Sequence, residues 1–260
     1  MNQKLWACIA AMLAFTAVAV ISTPAGAQNM EFKEKPPMYS YVAFWNIPRA
    51  QWAEMAKSDA ADQKLMQSAF GSGTIIAYGN DLNLVHEPDG STHDGWWSAM
   101  SMAGVLNVLD QAYTSGSATT PVLSTATKHW DEIYVSRFYD WHPGSWKGLY
   151  THTSSYTLKP NAPRDAVDQL TKTMVAPLME KMLADGTIHE WEVDEQAVHT
   201  ENPNTFIIVY IAANAEALDK VDAALVEMLR ANPLDGPAFL SMVDFSQHRD
   251  SLARTNATYK

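Results

Sequence analysis

A stretch of the chain occurs twice at constant spacing, and that repetition limits the folds open to it. Leu65, Met66, Gly73, Thr74, Ile75, Val85 and His86 recur as Leu178, Met179, Gly186, Thr187, Ile188, Val198 and His199, each pair 113 positions apart. Each copy carries apolar residues at helical spacing, a Gly able to end a helix, and the opening of a strand. Two copies of one supersecondary unit account for the echo.

The surrounding periodicities run in the same order in both halves. Residues 39–47 are aromatic and β-branched and predict a strand stopped by Pro48. Trp52, Met55, Ala56, Leu65, Met66, Ala69 and Phe70 then recur at helical spacing. Strands over 74–85 and 95–101, a helix over 102–113 and a strand over 130–141 complete a first unit at 39–142. A linker at 143–147 leads to a second unit at 148–249. There the pattern predicts strand 148–158, helix 164–184, strands 187–198 and 205–212, helix 215–229 and strand 238–245, followed by a tail at 250–260. Pro177 lies inside the second long helix and is expected to kink or split it. The loop at 114–127, much longer than its counterpart at 230–237, is either a lid or a plain surface loop.

The first 27 residues read as a secretory signal, with Lys4, an apolar run over 5–21, and Ala25, Gly26 and Ala27 as a small-residue cleavage site. A polar, proline-containing leader at 28–38 follows, and a periplasmic or extracellular location is expected. Cys8 is the only cysteine, so removal of the signal leaves no thiol for disulfides, iron-sulfur clusters or nucleophilic catalysis. The remaining chain has 17 Lys and Arg against 29 Asp and Glu, a net charge of −12. Nucleic acid is therefore an unsuitable partner, and no membrane association is expected after processing.

Each half reads β-α-β-β-α-β, the ferredoxin-like arrangement of an antiparallel sheet with both helices on one face. Residues 206–211, Phe-Ile-Ile-Val-Tyr-Ile, are apolar at every position, so protein should cover both faces of that strand. Helices supply one cover and the sheet of the other half supplies the second. Two such sheets facing each other resemble the dimeric α+β barrel superfamily over residues 39–249, through element order and duplication, with no diagnostic motif. The resemblance implies an α+β fold of duplicated ferredoxin-like repeats forming a pseudo-dimeric barrel. The superfamily includes cofactor-independent monooxygenases, isomerases and haem-dependent members, so fold does not decide function.

A lumen between the sheets is the expected ligand site. Alternation puts Tyr150, His152, Ser154 and Tyr156 on one face of their strand, expected to face the lumen, with His152 a candidate base. His86 and His199 hold equivalent positions in the echo, with Glu87 and Glu201 nearby. They could serve as bases or metal ligands, or as turn residues bonded to backbone at the rim. Trp45, Trp97 and Trp191 are candidate walls of an aromatic pocket, or core. Glu190 and Glu192 fall on a strand face expected to meet solvent. No phosphate loop, dinucleotide fingerprint, zinc-protease helix or nucleophile elbow occurs.

The resulting expectation is an exported barrel that binds a small aromatic or apolar molecule between its sheets, with no cofactor and no metal. The alternatives are a cofactor-independent monooxygenase or isomerase with His152 or His199 as base, a haem binder using one of the eight histidines, and a structural protein with a filled core. The sequence sets no oligomeric state.

Overall fold

Alternating apolar and polar residues produce strands, and 3.6-residue periodicity produces helices, in the expected order through most of the chain. The computed structural model describes residues 32–85, 90–200 and 203–260. The signal at 1–27, His86, Glu87 and Glu201 lie outside the described residues. The first half comprises β1 (Met38–Asn46), α1 (Trp52–Gly71), β2 (Ala77–Val85), β3 (His93–Ala99), α2 (Met102–Ser115) and β4 (Lys128–Trp141). A short β5 (Ser145–Trp146) precedes β6 (Tyr150–Thr157), α3 (Ala166–Leu170), a π-helical turn (Thr171–Val175) and α4 (Ala176–Ala184). Then come β7 (Ile188–Gln196), β8 (Thr205–Ala212), α5 (Ala215–Ala231), α6 (Asp235–Met242) and β9 (Arg249–Tyr259).

Pro177 occupies the first turn of α4, directly after the π-helical turn, so its missing N–H falls where the helix is already rewound. Gly73 and Gly186, equivalent in the echo, both take left-handed backbone (φ 74° and 76°) just after α1 and α4. That geometry closes both helices in the same way. The loop at 114–127 contains two 3-10 turns, Ser117–Thr119 and Leu123–Thr125, and its Val122 and Leu123 are buried beside Ile47 and Met55.

The chain's end departs from expectation. The segment at 238–245, expected as a strand, lies largely in α6, where Phe239 and Met242 pack on the second-half core. A short apolar run looks alike in a helix and a strand, and contact with the core decides between them. The residues expected as a tail form β9, which pairs with β6 on one side and β2 on the other. Its sequence is mostly polar, so it lacks the apolar alternation of an ordinary half-buried strand.

The strands follow the order β2-β3-β1-β4-β7-β8-β6-β9, and β9 returns to β2, giving a closed eight-stranded antiparallel barrel with β5 appended to β9. The first four strands run β2-β3-β1-β4, and the last four repeat that order as β7-β8-β6-β9. The seams are β4–β7 and β2–β9. Outward-facing apolar side chains pack under the helices in two main clusters, one around Tyr41, Trp97 and Val105, the other around Trp191, Phe206 and Leu170. Among the described residues no helix is long and apolar enough to cross a membrane.

Gly79 sits in β2 beneath the Trp96 ring, where an added Cβ would fall 2.6 Å from that ring and 2.8 Å from the Ala257 carbonyl. The backbone contact with β9 cannot yield as a side chain could. Gly79→Ala is therefore expected to destabilise the fold by about 1–3 kcal/mol, the usual cost of overpacking, as measured by urea denaturation.

Candidate functional site

Cross-strand register builds a hollow on the outer face of the first-half sheet. Tyr41, Trp97, Tyr78 and Tyr259 are successive partners across β1, β3, β2 and β9 and form an aromatic row. Tyr41 stacks on Trp97 with centroids 4.3 Å apart, and Tyr78 on Tyr259 at 4.5 Å. The next row, Ala43, Gly95, Asn80 and Ala257, carries small side chains. An added Cβ on Gly95 would meet nothing within 4 Å, so space opens above this row. The third row brings Trp45 beside His129, their rings stacked at 3.5 Å.

Helix α1 roofs the hollow with Met55, Asp59, Gln63 and Met66, which recur at helical spacing on one face. Leu109 and Tyr113 from α2, and Ala118 and Leu123 from the following segment, complete a cavity of about 560 Å³. A cavity of that size, largely aromatic with a few polar groups, suits a small-molecule ligand.

Its polar groups include Asp59, Asp62 and Gln63 on the roof, Asn80 and His129 on the floor, and Lys147 in the β5–β6 connection. Burial pushes the Asp59 carboxyl up to about 7, the Asn80 amide pulls it back, and the neighbouring Asp62 charge adds to the rise. Asp62 is also raised by burial, against a hydrogen bond from Ser117. A carboxyl poised near neutral pH can both take and return a proton. His129 Nδ1 lies 2.9 Å from the Phe44 carbonyl oxygen, which can only accept, so that nitrogen carries a hydrogen. Its Nε2 faces Asp131 at 3.3 Å.

The lumen is a second cavity of about 520 Å³, whose lining shares only Trp96 with the first. Thr151, Thr153, Ser155 and Thr157 of β6 point into it, together with Glu190, Glu192 and Asp194 of β7. Asp81 and Asp94 enter from β2 and β3. The β6 assignment is thus reversed: Tyr150, His152, Ser154 and Tyr156 face outward. The hydroxyl-bearing face covers the polar lumen, and the aromatic face covers the helices. Glu190 and Glu192 are likewise turned inward, since the lumen accepts acids and Trp191 and Val193 belong to the core under the helices.

Sequence-predicted residues therefore separate. Trp45 and Trp97 line the outer cavity. Trp191 is buried core, 2 % exposed. Tyr156 stacks between Phe206 and His248, and Tyr150 accepts a hydrogen bond from Arg254 at 2.6 Å. His152 stacks on Tyr210 and lies 4.0 Å from Asp250, with burial lowering its pKa against the pull of Asp250 and Asp222. His199 is exposed beyond β7. Neither histidine lines either cavity. Asp59, Asn80 and His129 escaped sequence reading. The polar stretch around Ser58 to Asp62 is a point where the sequence allows the helix to break, but α1 runs unbroken from Trp52 to Gly71, which puts Asp59 one turn beyond Met55 on the same face.

No protein-family model matches the chain, and no curated protein matches it. Its architecture does match solved structures. A candidate monooxygenase from Lactobacillus acidophilus NCFM aligns with TM-score 0.65 at 13% identity, over 87% of this chain and 97% of the other. The chain has a dimeric α+β barrel fold. A second candidate monooxygenase, from Fusobacterium nucleatum, aligns at 0.60 with 8% identity over 87% and 95%. An anthrone oxidase-like protein aligns at 0.50 with 12% identity over 86% and 93%. Identities this low carry the fold of the α+β barrel and no activity.

A haem in the outer cavity of this barrel would need an axial ligand. His129 is the one imidazole among the described lining residues, and both its nitrogens face partners while its ring is stacked on Trp45. The lining does not fit haem. The raised Asp59 makes the folded barrel hold a proton that the unfolded chain releases, so stability should fall as pH rises from about 4 to about 7. Asp59→Asn is expected to raise the denaturation midpoint relative to the parent at pH 8 and to leave it unchanged at pH 3, as chemical denaturation at both pH values would read.

Proposed function

We propose that the outer cavity binds a small planar aromatic molecule bearing an acidic hydrogen, and that Asp59 removes that hydrogen in a cofactor-independent oxygenation. The observation carrying this reading is the small-residue row Ala43, Gly95, Asn80 and Ala257. It lies between aromatic rows, under a carboxyl raised to about 7. Aromatic walls bury a flat ligand and exclude water from the carboxyl, and such a base typically contributes 10²–10⁴-fold to rate. For a ligand with an acidic ring CH2, Asp59 takes a proton and the carbanion passes electrons to dioxygen. The resulting hydroperoxide loses water to leave a ketone. One O2 is consumed and one water formed per ligand.

Duplication of a single βαββαβ unit is part of this reading, supported by the repeated strand order and by equivalent Gly73 and Gly186. The copies would then have diverged, because the second-half sheet carries Ile208, Tyr210 and Phe206 under its helices where the first carries Ala43 and Gly95.

Anthrone is a suitable probe, followed by tryptophan fluorescence for binding and by oxygen uptake for turnover. Saturable quenching that disappears in Gly95→Leu, whose side chain would grow into the hollow, is the expected result. Asp59→Asn should still bind while oxygen uptake falls by about 100-fold or more. Undiminished quenching in Gly95→Leu would remove the cavity from the reading, and undiminished uptake in Asp59→Asn would remove the base.

A further inference from the structure

The lumen lies on the other side of the sheet from that cavity, and its chemistry is distinct. Glu190, Glu192 and Asp194 alternate along β7 and all face inward. Alternate residues on a strand are about 6.5–7 Å apart, which makes these three carboxyls a ladder. Their register partners on β8 are Ile211, Val209 and Ile207, so an apolar side chain flanks each carboxyl. Across the lumen stand Asp81 and Asp94.

Two observations beyond the acids indicate the ligand. The Lys260 ammonium already occupies one end, ion-paired with Glu190 and lying 4.9 Å and 5.0 Å from the Trp96 and Trp141 ring centres. This arrangement of one carboxylate and two indoles holds an alkylammonium group. Glu190 is 2 % exposed, yet its second oxygen, Oε2, has no hydrogen-bond partner among the described residues. A buried carboxylate oxygen left without a donor costs stability unless a cation or donor reaches it. Among the described residues no three acidic or imidazole groups converge tightly enough to hold a metal ion. The charge is spread along a line.

We propose that the lumen binds a linear aliphatic diamine or polyamine, with ammonium groups on the Glu190, Glu192 and Asp194 ladder and methylenes against Ile207, Val209 and Ile211. The nitrogens of an extended four-carbon diamine are about 6 Å apart from bond lengths alone, close to the rung spacing. Burial pushes Asp194 up to about 7 and Glu192 well above the carboxylate range, so these two carboxyls hold protons below neutral pH. Entry of a dication displaces them, in a field set by Asp81, Asp94, Glu132, Glu190 and Lys260. Affinity therefore rises from pH 6 to pH 8.

Calorimetric titration of the full chain with 1,4-diaminobutane at pH 8 tests this, with n-butylamine and magnesium chloride as comparisons. Saturable diamine binding is expected, at least tenfold weaker for n-butylamine, with no saturable heat from magnesium. The double substitution Glu192→Gln with Asp194→Asn should weaken diamine binding at least tenfold, whereas Gly95→Leu, which fills only the outer cavity, should leave it unchanged. Absence of saturable heat overturns the proposal. So does equal binding of diamine and monoamine, which needs no variant to fold, and so does equal binding in the double variant. Loss of diamine binding in Gly95→Leu would reassign the site to the outer cavity.

Discussion

A four-stranded sheet leaves two edges of backbone N–H and C=O groups that must find partners or water. Here each edge of one quartet meets an edge of the other, β4 against β7 and β2 against β9, so the sheet closes and those groups bond across the seams. Closure has a geometric consequence. Every strand now has one side chain set facing a shared lumen and the other facing a helix layer, and alternation forces each residue onto one of them. The inward set is mostly hydroxyl and carboxyl, the outward set mostly aromatic and aliphatic. That division puts the chemistry of the two cavities on opposite sides of one sheet.

The halves have the same strand order but fill their outer faces differently. In the second half, His152, Tyr210 and Trp191 share a row across β6, β8 and β7, and Ser154, Ile208 and Val193 share the next. Tyr210, Trp191, Ile208 and Val193 of these rows join Phe206, Leu170 and Met179 in a continuous core. In the first half the row Ala43, Gly95, Asn80 and Ala257 is too small to reach the helices, so a cavity remains. Removing side-chain volume at four adjacent positions costs packing, which only the surrounding aromatic rows offset. The Asp250 cluster has an ordering role: Ser154 donates to Asp250 at 2.8 Å and His248 lies 3.1 Å from it, fixing β9 onto β6.

Burial of charge in the lumen follows another logic. Asp81 receives hydrogen bonds from Trp96 and Thr151, and Asp94 from Asn83. Ser136 donates to Asp194, and Lys260 donates to Glu190. Even so, burial keeps Asp94 and Glu192 well above their usual range, because neighbouring carboxyls repel one another as well. Buried acids of this kind are costly, and their position on the inner face is a consequence of closure together with strict alternation.

The echo between Leu65 and Leu178, the helical spacing from Trp52 to Phe70 and the fully apolar strand at 206–211 were sufficient to read two α+β halves from the sequence alone. Periodicity is local, so it survives without tertiary information. The same local signal could not say which face of β6 turns inward, because period-2 alternation is symmetrical until a partner sheet is placed. It also could not see that the polar residues after 249 form a strand pairing with two others, since that strand's partners lie far away in sequence. Residue type brought Trp45 and Trp97, which line the outer cavity, together with His152, His199 and Trp191, which line neither cavity, because type alone carries no position. Composition and repetition determined most of the elements and their order as far as the helix ending at Ala231. Only closure of the barrel decided which acids are buried, which small residues line up into a hollow, and that Asp59 lies above it, because those are properties of register between strands distant in the chain.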